Sequence, residues 1–272
     1  MRPVLDPVMG DQGRLYVNPD VVPAYKKIIQ HADLILPNQF EAEYVSPCLI
    51  DSFDNDKNRV LSGVKITSLP TLAKAITTIH KTYSVPHVII TSVQLFKLST
   101  QPSPSSTNQN PTKLTIIGST TRSDGTPRLF RIDVPALDCF FSGTGDMFAA
   151  LTVARLREAV FNTPGLRETK SWVSSDDVRP TELPLAKATE RVLASMHSIL
   201  EKTLESRAAE LGALGEEGLD GVGGEEREKA MHLRRTKAAE IKLVRNVRFL
   251  REPVVEFEVR EWEDGDLPEE IR

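Results

Sequence analysis

Ser142-Gly143-Thr144-Gly145-Asp146 runs directly into Met147-Phe148-Ala149-Ala150-Leu151-Thr152-Val153-Ala154. Small residues and glycines give way at once to an apolar, helix-forming run. Glycine lets the backbone turn tightly and approach a ligand closely. The first turn of the helix then offers unpaired N–H groups and the positive end of its dipole, which together form an anion site. A carboxylate at that junction can take a proton from a hydroxyl attacking a phosphate. The bland alternative makes Asp146 a helix cap. The apolar residues that follow directly predict a buried helix start, where a carboxylate is costly without a task. The stretch therefore points to phosphoryl transfer onto a small alcohol.

Outward from this turn, strands alternate with helices. Val4-Leu5, Leu34-Ile35-Leu36 and Val88-Ile89-Ile90-Thr91 read as short buried strands. Helices are predicted from Pro19-Asp20 to about His31, over Gln39 to Val45, over Ser68 to Thr82, from Asp146 to about Ala159, over Leu185 to Leu211 and over Lys237 to Val247. Leu114 to Gly118 and Leu129 to Val134 alternate like antiparallel strands around an Asp124-Gly125 turn. The tail from Glu252 reads as an edge strand through Val254, Val255 and Phe257. This order predicts an α/β fold, a mostly parallel central sheet with helices on both faces. Residues 1–272 read as a single domain, with solvated or disordered insertions at 101–112 and 212–228. Val4-Leu5 opens three residues from the start, so that strand is expected at a sheet edge or after a missing lead-in.

Composition narrows the class. The chain has 272 residues, with 34 Lys and Arg against 38 Asp and Glu, so no basic surplus points to nucleic acid. Two cysteines, Cys48 and Cys139, without metal-like spacing suit a reducing compartment. No apolar run is long enough to span a bilayer and no secretory h-region opens the chain, so a cytoplasmic protein without a membrane partner is expected. Gly221-Val222-Gly223-Gly224 follows no strand and is read as linker.

Further candidates gather at the strand ends, where open α/β sheets bind ligands. Asp6 ends the first strand and Asp11 follows in a Gly-rich loop; either an Asx turn and a surface acid, or a Mg²⁺ site beside phosphates, fits them. Asn38 and Glu41 follow the second strand, with Asn38 as a cap in the plain reading and both residues near a metal–phosphate cluster in the functional one. Thr91-Ser92 ends the third.

Three blocks, Asp6-Pro7-Val8-Met9-Gly10-Asp11-Gln12-Gly13-Arg14-Leu15-Tyr16-Val17, Leu36-Pro37-Asn38-Gln39-Phe40-Glu41-Ala42-Glu43 and Gly143 to Ala150, resemble pyridoxal kinases of the ribokinase-like superfamily. The resemblance covers about residues 4 to 160. It implies ATP-dependent phosphorylation of the pyridoxal 5′-hydroxyl, with pyridoxine and pyridoxamine as further substrates. It implies Asp146 as catalytic base, Gly143, Thr144 and Gly145 as the anion hole, and Asp6, Asn38, Glu41, Thr91, Ser92 and Thr144 as nucleotide contacts. Asp6, Asp11 and Glu41 would serve Mg²⁺, a K⁺ or Na⁺ ion is an added possibility, and a homodimer is expected. Two departures stand out. Leu36 replaces the family's usual threonine and removes a cation-side oxygen, and the family's first strands, lid and pyridoxal-ring residues have no counterpart. The alternatives are a nucleotide-binding fragment without turnover, or a ribokinase-like kinase for another alcohol such as hydroxymethylpyrimidine.

Overall fold

The protein is described from a computed structural model, covering residues 3–11, 13–43, 62, 64–93, 113–214 and 224–262. The order is β1 (Val4–Leu5), β2 (Gly10–Asp11), β3 (Arg14–Leu15), α1 (Val21–Ile29), β4 (Leu34–Ile35), α2 (Gln39–Glu43), α3 (Leu69–Tyr83), β5 (His87–Val93), β6 (Lys113–Thr121), β7 (Pro127–Pro135) and α4 (Thr144–Phe161). Three short 3₁₀ turns then lead to α5 (Pro184–Leu214), α6 (Gly224–Ala238), α7 (Val247–Arg251) and β8 (Arg260–Glu261).

Among the described residues six strands form one sheet in the order β1-β4-β5-β6-β7-β8. β1, β4 and β5 are parallel, whereas β6, β7 and β8 each run antiparallel to the preceding strand. The expected mostly parallel sheet is thus a mixed one. The crossover helices α1 and α3 force parallel pairing in the first half. In the second, the short Arg122–Thr126 turn, closed by bonds between Arg122 and Thr126 and from Gly125 to Arg122, makes a hairpin.

Alternation along the strands builds a core on each face. Ile35, Val88, Ile90, Ile117 and Leu129 point to one side, where α1 and α3 supply Val22, Ile29, Leu72, Ile76 and Ile79. Leu34, Ile89, Ile116, Phe130 and Ile132 point to the other, against Met147, Phe148, Leu156 and Val160 of α4 and Val192, Met196 and Ile199 of α5. Each fully buried side chain of this size contributes about 1.5–3 kcal/mol. Helix α3 starts at the capping box its sequence carries: the Ser68 and Thr71 hydroxyls each accept the other residue's backbone N–H. On α1, Val22 and Ile29 are buried while Val21 and Ile28 remain exposed, so the expected apolar face is only partly covered.

At the strand starts lies a buried polar layer. His87 Nε2 donates to the Ser171 carbonyl (2.8 Å) and Nδ1 accepts from the Thr120 hydroxyl. Arg128 donates to the carbonyls of Thr121, Ser174, Ser175 and Val178, and so ties the 3₁₀ turns to the sheet.

Three segments differ from expectation. Residues 237–247 are not one helix: α6 ends at Ala238, Ala238 and Ala239 are buried, and the Glu240 backbone pairs with Ser142. The Lys242 N–H donates to the Thr203 hydroxyl, so tertiary partners take the amides a helix would use. The tail pairs later than expected, through Arg260–Glu261 on Phe130–Arg131. Val259 and Trp262 are buried there, whereas Val254 and Val255 stay exposed. In the 212–228 stretch, residues 212–214 extend α5 and 224–228 open α6, where Glu225 and Glu226 suit the helix N-terminus. The 101–112 stretch lies outside the described residues.

Gly118 pairs with Phe130, and that ring fills the space a Cβ would need. Gly118→Ala is expected to lower unfolding stability by about 1–3 kcal/mol in urea titration, with the m-value unchanged.

Candidate active site

The ends of the parallel strands and the start of α4 converge. Gly143 caps α4 in the left-handed region (φ 86°), a conformation that glycine takes without penalty. Its carbonyl accepts the Met147 N–H, while Thr144, Gly145 and Asp146 form the first turn. Met147 and Phe148 are buried, but Asp146 is exposed. The expected buried carboxylate is therefore corrected: the helical period turns Asp146 outward and anchors the turn through its neighbours. Nor is Asp146 the cap, since Gly143 holds that position.

Asp6 leaves the end of β1 and its Oδ2 lies 3.5 Å from where a Gly145 Cβ would stand. Asp6 therefore reaches the first turn of α4 at van der Waals distance. Burial, and after it the nearby Asp146 charge, raise the Asp6 carboxyl to about 6. Asp6 and Asp146 thus share one negative field at the helix start.

Asn38 and Glu41 hold this edge together. The Glu41 Oε1 accepts the amides of Met9 (2.8 Å) and Gly10 (3.3 Å), and Oε2 accepts that of Asn38 (3.0 Å). In return the Asn38 Oδ1 accepts the Glu41 N–H, and its Nδ2 donates to the Gly10 carbonyl. Burial raises Glu41 to about 7 despite these three amides, with Asp6 adding to the rise. The geometry gives both residues a positioning task for the Met9–Gly10 backbone. Asn38 is the cap of the plain reading.

Asp11 sits exposed on the β2–β3 hairpin, paired in register with Arg14. Thr91 bridges Asn38 and donates its N–H to the Pro37 carbonyl. Ser92 is exposed, with φ 60° at a register shift in β5. A non-glycine residue held left-handed stores strain of order 1–3 kcal/mol. Leu36 is buried among apolar side chains and brings no oxygen to the edge.

Two parts of the site had no reading as such in the sequence. Tyr16 and Tyr25 lie within the field of Asp6 and Glu41, and burial followed by those charges raises both phenols. Tyr16 stood within a quoted block without a role. Glu240 and Ile241 pack against Ser142 and Gly143, and no motif marks them.

A metal cage does not form from side chains alone. Among the described residues no three His, Cys, Asp or Glu side chains gather around one point. Mg²⁺ commonly takes one or two carboxylates and completes its shell with phosphates and water, which the Asp6 carboxylate at the helix start fits. Glu41, already holding three amides, fits less well. Among the described residues no helix is long and apolar enough to cross a membrane.

Human pyridoxal kinase is 30% identical over 218 residues, covering 77% of this chain and 54% of that protein. The chain is a homologue of the pyridoxal kinases. A Schizosaccharomyces pombe protein, whose name gives the same activity provisionally, is 32% identical over 206 residues, 76% of this chain and 53% of its own length. Pyridoxal kinase from Leishmania donovani, solved with ADP and pyridoxamine, superposes with a TM-score of 0.60 at 23% identity. It covers 96% of this chain and 62% of that one, and the shared architecture is the ribokinase-like α/β fold. The chain spans about half the length of the curated relatives it matches. No family model matches it.

The buried groups give a pH signature. Glu41 and Asp6, raised from 4.5 and 3.8, bind protons more tightly when folded, so they add stability as pH falls through about 7 and 6. His80 and His87, lowered by burial from 6.5 to about 4, lose stability over pH 6.5 to 4. These opposed slopes predict a shallow stability profile between pH 7 and 4.5. In Glu41→Gln the histidines dominate, and urea midpoints taken across that range should fall more steeply than in the parent. Ser92→Gly relieves the left-handed strain and should raise the midpoint by the equivalent of about 1 kcal/mol.

Proposed function

We propose that this chain carries a pyridoxal kinase site: ATP and pyridoxal give ADP and pyridoxal 5′-phosphate, with pyridoxine and pyridoxamine as further acceptors. One observation carries the reading. The left-handed Gly143 opens α4 with Asp146 in its first turn, and the Asp6 carboxylate lies directly against Gly145. The similarity to human pyridoxal kinase supports the choice of substrate.

In this mechanism the exposed Asp146 accepts the proton of the 5′-hydroxyl as that oxygen bonds to the γ-phosphorus. The bond from the γ-phosphorus to the bridging oxygen breaks and ADP leaves. The amides of the 143–145 turn and the α4 dipole neutralise charge on the transferring group, which is most of what phosphoryl transfer requires. Asp6, with Asp11 through water, would hold Mg²⁺, whose charge offsets the phosphates. Thr91 and Ser92 line the nucleotide side. Asn38 and Glu41 act indirectly by fixing the Met9–Gly10 backbone. We read residues 1–272 as part of a single kinase domain acting as a homodimer in the cytoplasm. A monovalent cation, if used, would draw on backbone carbonyls, as Leu36 offers no oxygen.

The test is ATP-dependent formation of pyridoxal phosphate by the purified chain. Asp146→Asn should lower kcat by about 10²–10⁴-fold while fluorescent ADP still binds. An unchanged rate would remove Asp146 from the chemistry. Nucleotide binding without turnover in the parent would assign the chain to binding alone, and turnover of hydroxymethylpyrimidine in preference to pyridoxal would change the acceptor.

A further inference from the structure

The chain carries a formal charge of −4, but that charge is unevenly spread. Between Lys229 and Arg251 stand eight Lys and Arg residues and a single acid, Glu240. Arg235 and Lys237 in the last turn of α6, then Arg245, Arg248 and Arg251, are all exposed. Lys242 instead turns inward, with its Nζ 3.3 Å from Glu210.

This stretch bends at the site. The Glu240 backbone bridges Ser142, and the Ile241 Cδ1 lies 3.9 Å from the place of a Gly143 Cβ. The site itself is acidic, with Asp146 in the turn, Asp6 against it and the buried Glu41 near Asp6. A polyphosphate meets like charge at Asp6 and Asp146, and opposite charge over the last turn of α6 and the bend after it, at Arg235, Lys237 and Arg245. Among the described residues, no ion pair joins these basic side chains to Asp6 or Asp146. They act through their field and not by contact.

We propose that the basic stretch from Arg235 to Arg251 is an electrostatic guide that draws polyphosphate nucleotides to the Gly143–Asp146 turn. The inference rests on the nucleotide reading above and adds a direction of approach. A guide of this kind changes association and leaves dissociation nearly untouched. Exposed charges are screened within about 8–10 Å at about 0.1–0.15 M salt, so its effect fades as salt rises.

The experiment follows binding of a fluorescent ADP analogue to the full chain by stopped flow, from about 0.01 M to about 0.15 M salt. The parent's association rate should fall by about tenfold or more across that range. The triple variant Arg235→Gln, Lys237→Gln, Arg245→Gln should associate about threefold to tenfold more slowly at low salt. Its salt dependence should be flatter and its dissociation rate within about twofold of the parent. Lys81, Lys170 and Arg179 are exposed near the strand starts, and their triple glutamine variant controls for net charge. Equal slowing in both triples, or a salt-independent parent, overturns the guide while leaving the nucleotide site intact. Absence of any nucleotide binding by the parent overturns both. Circular dichroism and urea midpoints matching the parent keep a slow variant from being a misfolded one.

Discussion

A carboxylate buried at 3% exposure is an expensive thing to fold around, and the ligand edge of this protein is folded around Glu41. Its two oxygens gather three backbone amides from two separate chain segments. Without it, Met9, Gly10 and Asn38 would keep unpaired N–H groups beside a packed core, at about 1–3 kcal/mol each. The same bonds fix where the chain goes after β1, and therefore where Asp6 meets the start of α4. Asn38 completes the brace from the other side. The acids that face the ligand are held in place by one that does not.

Local chemistry made much of this readable in advance. The Gly143–Asp146 turn, the helix start at Ser68 and the Asp124-Gly125 hairpin each depend on residues within a few positions, and each forms where its sequence places it. What depends on distant partners was not readable. The helix expected over 237–247 yields because Ser142 and Thr203 claim its backbone groups. The final strand slips to Arg260 because Val259 and Trp262, not Val254 and Val255, find covered surface. At the site, types and neighbourhood were legible for Asp6, Asp146 and Thr91. The division of labour was not: which carboxylate faces solvent and which holds backbone is decided by burial, and Asn38 and Glu41 carry the same residue types in either role.

The sheet has two polar ends with opposite duties. At the strand starts His87 bonds the Ser171 carbonyl, Arg128 bonds four backbone carbonyls and the Ser171 hydroxyl bonds Asp33, which closes that end. At the other end Asp146 and Ser92 face outward, with a strained backbone and raised acids nearby. One end uses its polar groups for cohesion, and the other leaves them available.

The β6–β7 hairpin has nine register pairs around a turn of five residues, the longest ladder in the sheet. Such sequence-local pairing closes a short loop and loses little chain entropy before contacts form. The ligand edge is assembled from residues near 6, 38, 91 and 143, which meet only after several long loops close. Loop closure thus costs the scaffold hairpin less chain entropy than it costs the site. In the folded state the same asymmetry persists as a gradient of opening cost: amides of the hairpin should exchange with solvent only on global unfolding, and those around Met9 and Gly10 through smaller local openings.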